Sequence, residues 1–298
     1  MAEKSAEFFS DTGVLTGRWV EKRRWTEVLT RQKTKNIVKI LHTIDSTKNV
    51  RGEKTQRVEK NVGLCYNDIR ENAIRPAFCG RKPEGGTRGV KKKDIERYEP
   101  EIAALEAQEM TPGGVVFYGS STISHWPREQ MERELQPYHV TARGFGGSTA
   151  EEAFFFYPRL VRPCAPEVLA LYVGDNDPLA GYPPDRAYVF TERLLRTARS
   201  NFPGIRLLLI GVKYSEGQRD ANAMRRDYNR YLRRYASQRT FAQYVDLPGL
   251  VHNQYGDPRP DCYEADGVHL NAHAYSMLAE SVKKALEALK NAEKRRRA

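Results

Sequence analysis

The sequence predicts a three-layer α/β/α sandwich built on a five-stranded parallel sheet in residues 94–298. Apolar runs of strand length recur along this part of the chain, amphipathic helical stretches separate them, and small polar residues follow most of the runs. Parallel neighbours need a crossover connection, which the helical stretches supply. Such a sheet, of the flavodoxin-like kind, carries helices on both faces and binds ligands beyond the carboxyl ends of its strands.

The first elements are a helix and the five strands. A candidate helix covers residues 95–109, with Ile102 and Leu105 on one face and Pro112-Gly113-Gly114 as its stop signal. Five apolar runs of strand length follow, at 115–119, 139–142, 168–173, 205–212 and 243–247.

Helical stripes, with apolar residues three and four positions apart, complete the pattern. They comprise Ala187, Phe190, Leu194 and Ala198; Met224, Tyr228, Leu232 and Tyr235; and Tyr275, Leu278, Val282, Leu286 and Leu289. Asn271 is a candidate N-cap for the last of them. We interpret all three stripes as faces that pack on the sheet.

The net charge of +11 belongs entirely to the first third of the chain. Residues 1–93 hold 22 Lys and Arg against 11 Asp and Glu, while the remaining 27 basic and 27 acidic residues cancel. We therefore expect residues 1–93 to be a basic extension or a small module, its short β-prone stretches including Trp19 and Trp25, that ends in a Gly-, Pro- and Lys-rich linker at 81–93. A solvated extension and a surface that binds nucleic acid or another polyanion both fit this composition.

The cysteines do not predict a metal site or a disulfide framework. No C-x-x-C pair or Cys/His zinc spacing is present, and Cys65–Cys79 is the one pairing that the sequence leaves open. The first residues lack the basic-then-apolar order of a signal peptide, and no apolar run approaches 20 residues. These features predict a cytoplasmic protein without a membrane span.

Four polar clusters occupy the ends of the predicted strands. Gly-Ser-Ser-Thr follows the first strand at 119–122, RGFGGS the second at 143–148 and GDND the third at 174–177, and DGVHL comes after the fifth strand and a long loop at 266–270. Because parallel strands end at one edge of a sheet, we expect the four clusters to form one cleft.

These blocks, in this order, resemble the SGNH or GDSL hydrolases, in particular the subgroup whose first block reads Gly-Ser-Ser. The resemblance covers residues from about Asp94 to Leu289. It implies Ser121 as nucleophile and Asp266 and His269 as the acid and base of a triad. It also implies an oxyanion hole made of the N–H groups of Ser121 and Gly147 and the side chain of Asn176. Ser120 takes the place of the family's Asp, and the choice between the two adjacent serines stays open to experiment.

The chemistry of ester hydrolysis needs these residue types. A serine hydroxyl is a poor nucleophile at neutral pH, so an imidazole must take its proton and a carboxylate must orient the imidazole. Asp266 and His269 lie three residues apart, close enough for their side chains to touch. The developing oxyanion needs fixed donors, which Gly147 and Asn176 would supply.

Other polar residues near the clusters have simpler interpretations. Asp175 and Asp177 are expected to shape the turn around Asn176. His269 and His273 have the spacing of a helical metal pair, but the Asn271 cap places them on different elements, so we predict no metal and no cofactor. His125, Trp126, Lys213 and Tyr214 are candidate substrate contacts, and the loops at 178–184 and 250–263 are candidate parts of the rim.

Two functions of different classes follow. The first is a serine esterase that hydrolyses short-chain carboxylic esters through an acyl-enzyme, with a small-molecule substrate. The alternative is a polyanion- or nucleic-acid-binding protein with an inactive hydrolase-like body. The filled catalytic positions favour the enzyme.

Overall fold

The computed structural model describes residues 95–297. The expectations for residues 1–93, which include the linker, the two tryptophans and the Cys65–Cys79 pair, lie outside the described residues and stay predictions.

The described domain contains the predicted parallel sheet. Its strands are β1 Val115–Gly119, β2 Val140–Gly144, β3 Val168–Tyr172, β4 Arg206–Ile210 and β5 Ala242–Val245. All neighbours are parallel and the spatial order is β2-β1-β3-β4-β5. The prediction of five parallel strands is confirmed; β1 has the predicted bounds, and the bounds of the other strands shift by at most two residues.

Helices connect the strands. They are α1 Glu99–Ala107, α2 Ser121–Ser124, α3 Arg128–Glu134, α4 Ala150–Leu160, α5 Pro184–Asn201, α6 Asn222–Ser237, α7 Leu247–Val251 and α8 Ala272–Arg297. Short 3₁₀ turns occupy Arg162–Cys164, Glu216–Ala221 and Pro260–Cys262. Residues 95 and 96 are helical, a turn follows at 97 and 98, and α1 begins at Glu99, because Pro100 has no N–H to donate to the carbonyl of residue 96 and fits the first turn of a helix.

The core lies on both faces of β1 and β3, whose residues are buried throughout. The predicted helical stripes face it, and the N-cap is confirmed because Asn271 Oδ1 accepts the N–H of Ala274 at 3.0 Å. One stripe differs from the prediction: Met224 is only half-buried, whereas the neighbouring Arg225 is 1% exposed. The reason is electrostatic, since Arg225 points to a buried carboxylate described below.

The strand order fixes where a site can form. From β1 the chain crosses to β2 on one side and then returns to β3 on the other, so the connections diverge beyond the carboxyl ends of β1 and β3. Such a divergence leaves a crevice, which is where open α/β sheets bind ligands.

No helix in the described part of the chain is long and apolar enough to cross a membrane.

Candidate active site

Ser121 is the first residue of α2 and directly follows the end of β1. Gly119 makes this turn feasible, because a Cβ at Gly119 would lie 1.9 Å from the carbonyl oxygen of Tyr172 on β3. Ser120, the N-cap, is fully buried and its Oγ has no hydrogen-bond partner among the described residues. Ser121 is 9% exposed and its N–H, at the start of a helix, has no acceptor in the described part of the chain. The two serines therefore differ in access, and only Ser121 reaches the surface.

Asp266 and His269 form the hydrogen-bonded pair that their spacing predicts. Asp266 Oδ2 lies 2.5 Å from Nδ1 of His269, while Oδ1 accepts the N–H groups of Val268 and His269 at 2.8 and 2.9 Å. These bonds, led by the His269 N–H, lower the pKa of Asp266 to about 2. With Nδ1 facing an ionised carboxylate, the ring proton stays on that nitrogen and Nε2 is free to accept a proton.

A contact between two rings brings the loop of His269 to the turn that carries Ser121. The rings of His125 and His269 have centroids 4.4 Å apart, and His125 caps the C-terminus of α2 with its N–H donated to the carbonyl of Ser121. The Tyr275 hydroxyl of α8 donates to the carbonyl of Thr122 at 3.0 Å. Ser121 Oγ makes no hydrogen bond to any described residue, so its bond to His269 stays a prediction.

The loop after β2 presents an unused backbone donor. Gly147 has φ of +71°, a left-handed conformation that favours glycine, and its N–H has no acceptor among the described residues. A Cβ there would find its nearest contact, Tyr98 Oη, at 4.0 Å, so backbone conformation rather than crowding is the reason for this glycine. The Tyr98 hydroxyl donates to the Gly147 carbonyl at 3.0 Å, and Glu101 accepts the Gly146 N–H at 3.2 Å. Helix α1 thus holds the loop from outside.

Asn176 follows β3, and its amide is oriented by the same loop. Its Nδ2 donates to the Ser148 carbonyl at 3.0 Å, which uses one of the two amide hydrogens. The loops are also joined by backbone bonds, from Phe145 N–H to Gly119 O at 3.0 Å and from Ser120 N–H to Tyr172 O at 3.1 Å. The first three clusters are therefore linked to one another directly, and the fourth is attached through its ring contact with His125.

Four expected substrate contacts have different surroundings. His125 is exposed beside His269, whereas Trp126 is 3% exposed and stacks on Tyr275 at 5.2 Å between ring centroids. Lys213 is 1% exposed and Tyr214 is 9% exposed, with its ring stacked on His252. Apart from His125, these residues make internal contacts.

Asp175 and Asp177 are both buried next to Asn176. Burial would raise the pKa of Asp175, but Lys213 and Arg225 outweigh it and lower that pKa. The pKa of Asp177 is raised to about 7, mainly by burial, although its Oδ2 accepts the Ala150 N–H at the start of α4 at 3.0 Å. Both carboxylates hold the loops around Asn176, as their position in a turn predicts.

Residues that could hold a metal are absent from residues 95–297, in the sense that no three His, Cys, Asp or Glu side chains converge there. Cys164 and Cys262 are buried free thiols. Two features of the site are not predicted by the sequence: the ring contact of His125 with His269 and the buried cations around Asp175. An arginine in the apolar register of α6 was the available signal for the second.

Comparisons with known proteins bear on the family and the fold of the chain. The chain is similar to the GDSL-like Lipase/Acylhydrolase family over residues 102–277. Among solved structures it is similar to a GDSL-like lipase from Bacteroides thetaiotaomicron, with 22% identity, a TM-score of 0.54, and coverage of 65% of this chain and 97% of the other. A candidate acylhydrolase from Bacteroides fragilis matches with 21% identity and a TM-score of 0.55, covering 68% and 99%. No curated protein matches the chain.

At these identities the solved structures show the fold alone, whereas the family match covers more than half of the chain and contains all four clusters. The chain therefore belongs to the GDSL-like lipase/acylhydrolase family, a family of hydrolases that act on esters.

Proposed function

We propose that the protein is a serine esterase that hydrolyses short-chain carboxylic esters through an acyl-enzyme on Ser121. The observation that carries the proposal is the meeting of four separate clusters at one edge of the sheet, with the Asp266–His269 pair packed against the turn that begins at Ser121. Unused N–H groups at Ser121 and Gly147 lie on the same edge.

The reaction follows from the free nitrogen of His269. Nε2 takes the proton of Ser121 Oγ as the oxygen attacks the ester carbonyl carbon, and Asp266 stabilises the imidazolium. The N–H groups of Ser121 and Gly147 and the second amide hydrogen of Asn176 would meet the tetrahedral oxyanion. When the intermediate collapses, the alcohol leaves with the proton from His269. Water, deprotonated by the same imidazole, then releases the acid and frees the serine.

A fluorophosphonate probe tests the nucleophile. The native protein should label and should cleave short acyl esters, and Ser121→Ala should do neither. Ser124→Ala, in the same short helix, is the matched control and should label as the native protein does. Labelling that survives in Ser121→Ala but is lost in Ser120→Ala would show that Ser120 is the nucleophile. A native protein that neither labels nor cleaves any ester would refute the esterase.

The carboxylate is tested separately with Asp266→Asn. The asparagine amide carries no negative charge and cannot hold the imidazole in the same tautomer. We therefore expect kcat to fall by a factor of up to about 10⁴. The free energy of unfolding should change little by comparison, because Asp266 is an exposed residue. A variant with kcat within threefold of the native value would remove Asp266 from the mechanism.

A further inference from the structure

A buried charge cluster lies directly behind the candidate site. Lys213 Nζ is 2.8 Å from Oδ2 of Asp175, and Arg225 Nε is 2.8 Å from Oδ1. The three side chains are all at most 5% exposed. Two cations thus surround one carboxylate, and the cluster carries an excess positive charge.

The excess positive charge of this cluster indicates a role beyond neutralising Asp175. A single cation is enough to neutralise Asp175, and moving a second charged group out of water costs free energy that the same carboxylate does not fully return. Arg225 lies at ion-pair distance from Oδ1, but it donates its hydrogens elsewhere: to the carbonyl oxygen of Asp175, to Gln218 Oε1, and to the Ser215 hydroxyl and Asn222 Oδ1, the last two at 3.2 Å. Lys213 is therefore the cation that hydrogen-bonds the carboxylate, and the two cations together leave one positive charge uncompensated.

Lys213 connects the cluster to the turn of the nucleophile. Its Nζ also donates to the hydroxyl of Thr122 at 3.4 Å, and Thr122 is the residue after Ser121. The Tyr172 hydroxyl, at the end of β3, donates to Asp175 at 2.9 Å and lies 3.4 Å from the same ammonium. The ammonium is thus fixed between β3 and α2.

Arg225 connects the cluster to the oxyanion amide. Its Nε and Nη2 both donate to the carbonyl oxygen of Asp175, at 3.0 and 2.9 Å. That carbonyl belongs to the peptide that joins Asp175 to Asn176. The guanidinium therefore fixes the backbone from which the Asn176 side chain projects.

We propose that Lys213 is a positioning residue of this esterase: it fixes the turn of Ser121 through Thr122 and places the excess positive charge of the cluster behind the oxyanion hole. The inference rests on the proposed function. An oxyanion forms only in the reaction, so a fixed charge behind it stabilises the transition state more than the bound ester, and its loss lowers kcat rather than raising KM.

Lys213→Met is the decisive variant, because it leaves Asp175 and Arg225 as a neutral ion pair that is compatible with folding. We expect kcat to fall about tenfold with KM within twofold, a smaller loss than the ~10²–10³ of a direct oxyanion donor. The rate of fluorophosphonate labelling should fall by the same factor, since the phosphonate also places an oxygen in the oxyanion hole. Lys284→Met, which removes an exposed ammonium on α8, is the matched control and should change neither quantity.

A folded Lys213→Met with native kcat would overturn the inference, and so would a loss of activity that appears in KM alone. Should this variant fail to fold, Thr122→Val replaces it, since valine keeps the shape and both cations but removes the hydroxyl through which Lys213 contacts α2. It should lower kcat severalfold, and native kcat in Thr122→Val would equally overturn the inference. Failure of the esterase itself is distinct, because then the native protein would neither label nor cleave.

Discussion

Asp177 gives the stability of this protein a pH dependence whose size follows from the structure. The carboxyl is 1% exposed, and burial raises its pKa from 3.8 to about 7. Between these two values the unfolded chain is ionised while the folded protein holds the proton, so the unfolded state binds fewer protons and stability falls as pH rises. About three pKa units correspond to roughly 4 kcal/mol, lost at about 1.4 kcal/mol per pH unit between pH 4 and 7.

Replacing Asp177 with Asn tests this value. The amide oxygen can still accept the Ala150 N–H, but the side chain no longer ionises. Urea unfolding at pH values from 4 to 8 should show that Asp177→Asn gains stability relative to the native protein as pH rises, by up to about 4 kcal/mol above pH 7. Other titrating groups cancel in this difference. Parallel stability curves for the two proteins, or a difference of the opposite sign, would refute the assignment of a protonated, buried Asp177.

Three further substitutions probe the candidate site. Ser120→Ala removes a buried hydroxyl without a partner among the described residues, so stability should stay the same or rise by about 1 kcal/mol, with native esterase activity. Gly217→Ala would bring a Cβ to 3.0 Å from the carbonyl of Asp266, and the resulting shift of that loop should lower kcat by ~10²-fold or less. His125→Ala removes the ring packed on His269 and should lower kcat about two- to tenfold, whereas His125→Phe keeps a ring there and should retain it.

Controls separate these effects from general destabilisation. Gly204→Ala adds the same methyl group where nothing lies within 4 Å, so its kcat should equal the native value. Equal kcat values for Gly217→Ala and Gly204→Ala would contradict a role for close packing against the Asp266 loop. Loss of activity in His125→Phe would mean that the imidazole itself, and not the ring contact, is needed. Loss of activity in Ser120→Ala would reopen the choice of nucleophile.

Periodicity predicted the fold well because the signals are local. The runs that became β1 and β3 are continuous and apolar, as strands buried on both faces must be, and the stripe from Tyr275 to Leu289 is buried in α8. Of the two errors, one has a local cause and the other depends on a residue distant in sequence. Pro100 interrupts the predicted helix just before Glu99, and Arg225 replaces Met224 on the buried side of α6 because it pairs with a carboxylate distant in sequence.

In the site, too, contacts between residues near in sequence were predictable and contacts between distant residues were not. The Asp266–His269 pair was predictable because three residues of one loop separate the two side chains, and the structure joins them at 2.5 Å. The surroundings of Lys213 were not, since its partners Asp175 and Thr122 lie 38 and 91 residues away. From the sequence alone, a lysine at a strand end is a candidate substrate contact. Only the tertiary structure shows that Lys213 is buried.

The sequence alone determined the order of the strands along the chain, the faces that the helices bury, and the residue types that ester hydrolysis needs at each strand end. Hydrophobic periodicity and short-range hydrogen bonding are properties of neighbouring residues, so the chain encodes them directly. The tertiary structure decided which charges are buried, which ring packs on His269, and why Gly119 and Gly147 must be glycine. Those answers depend on contacts between distant segments, and the spatial order β2-β1-β3-β4-β5 creates them.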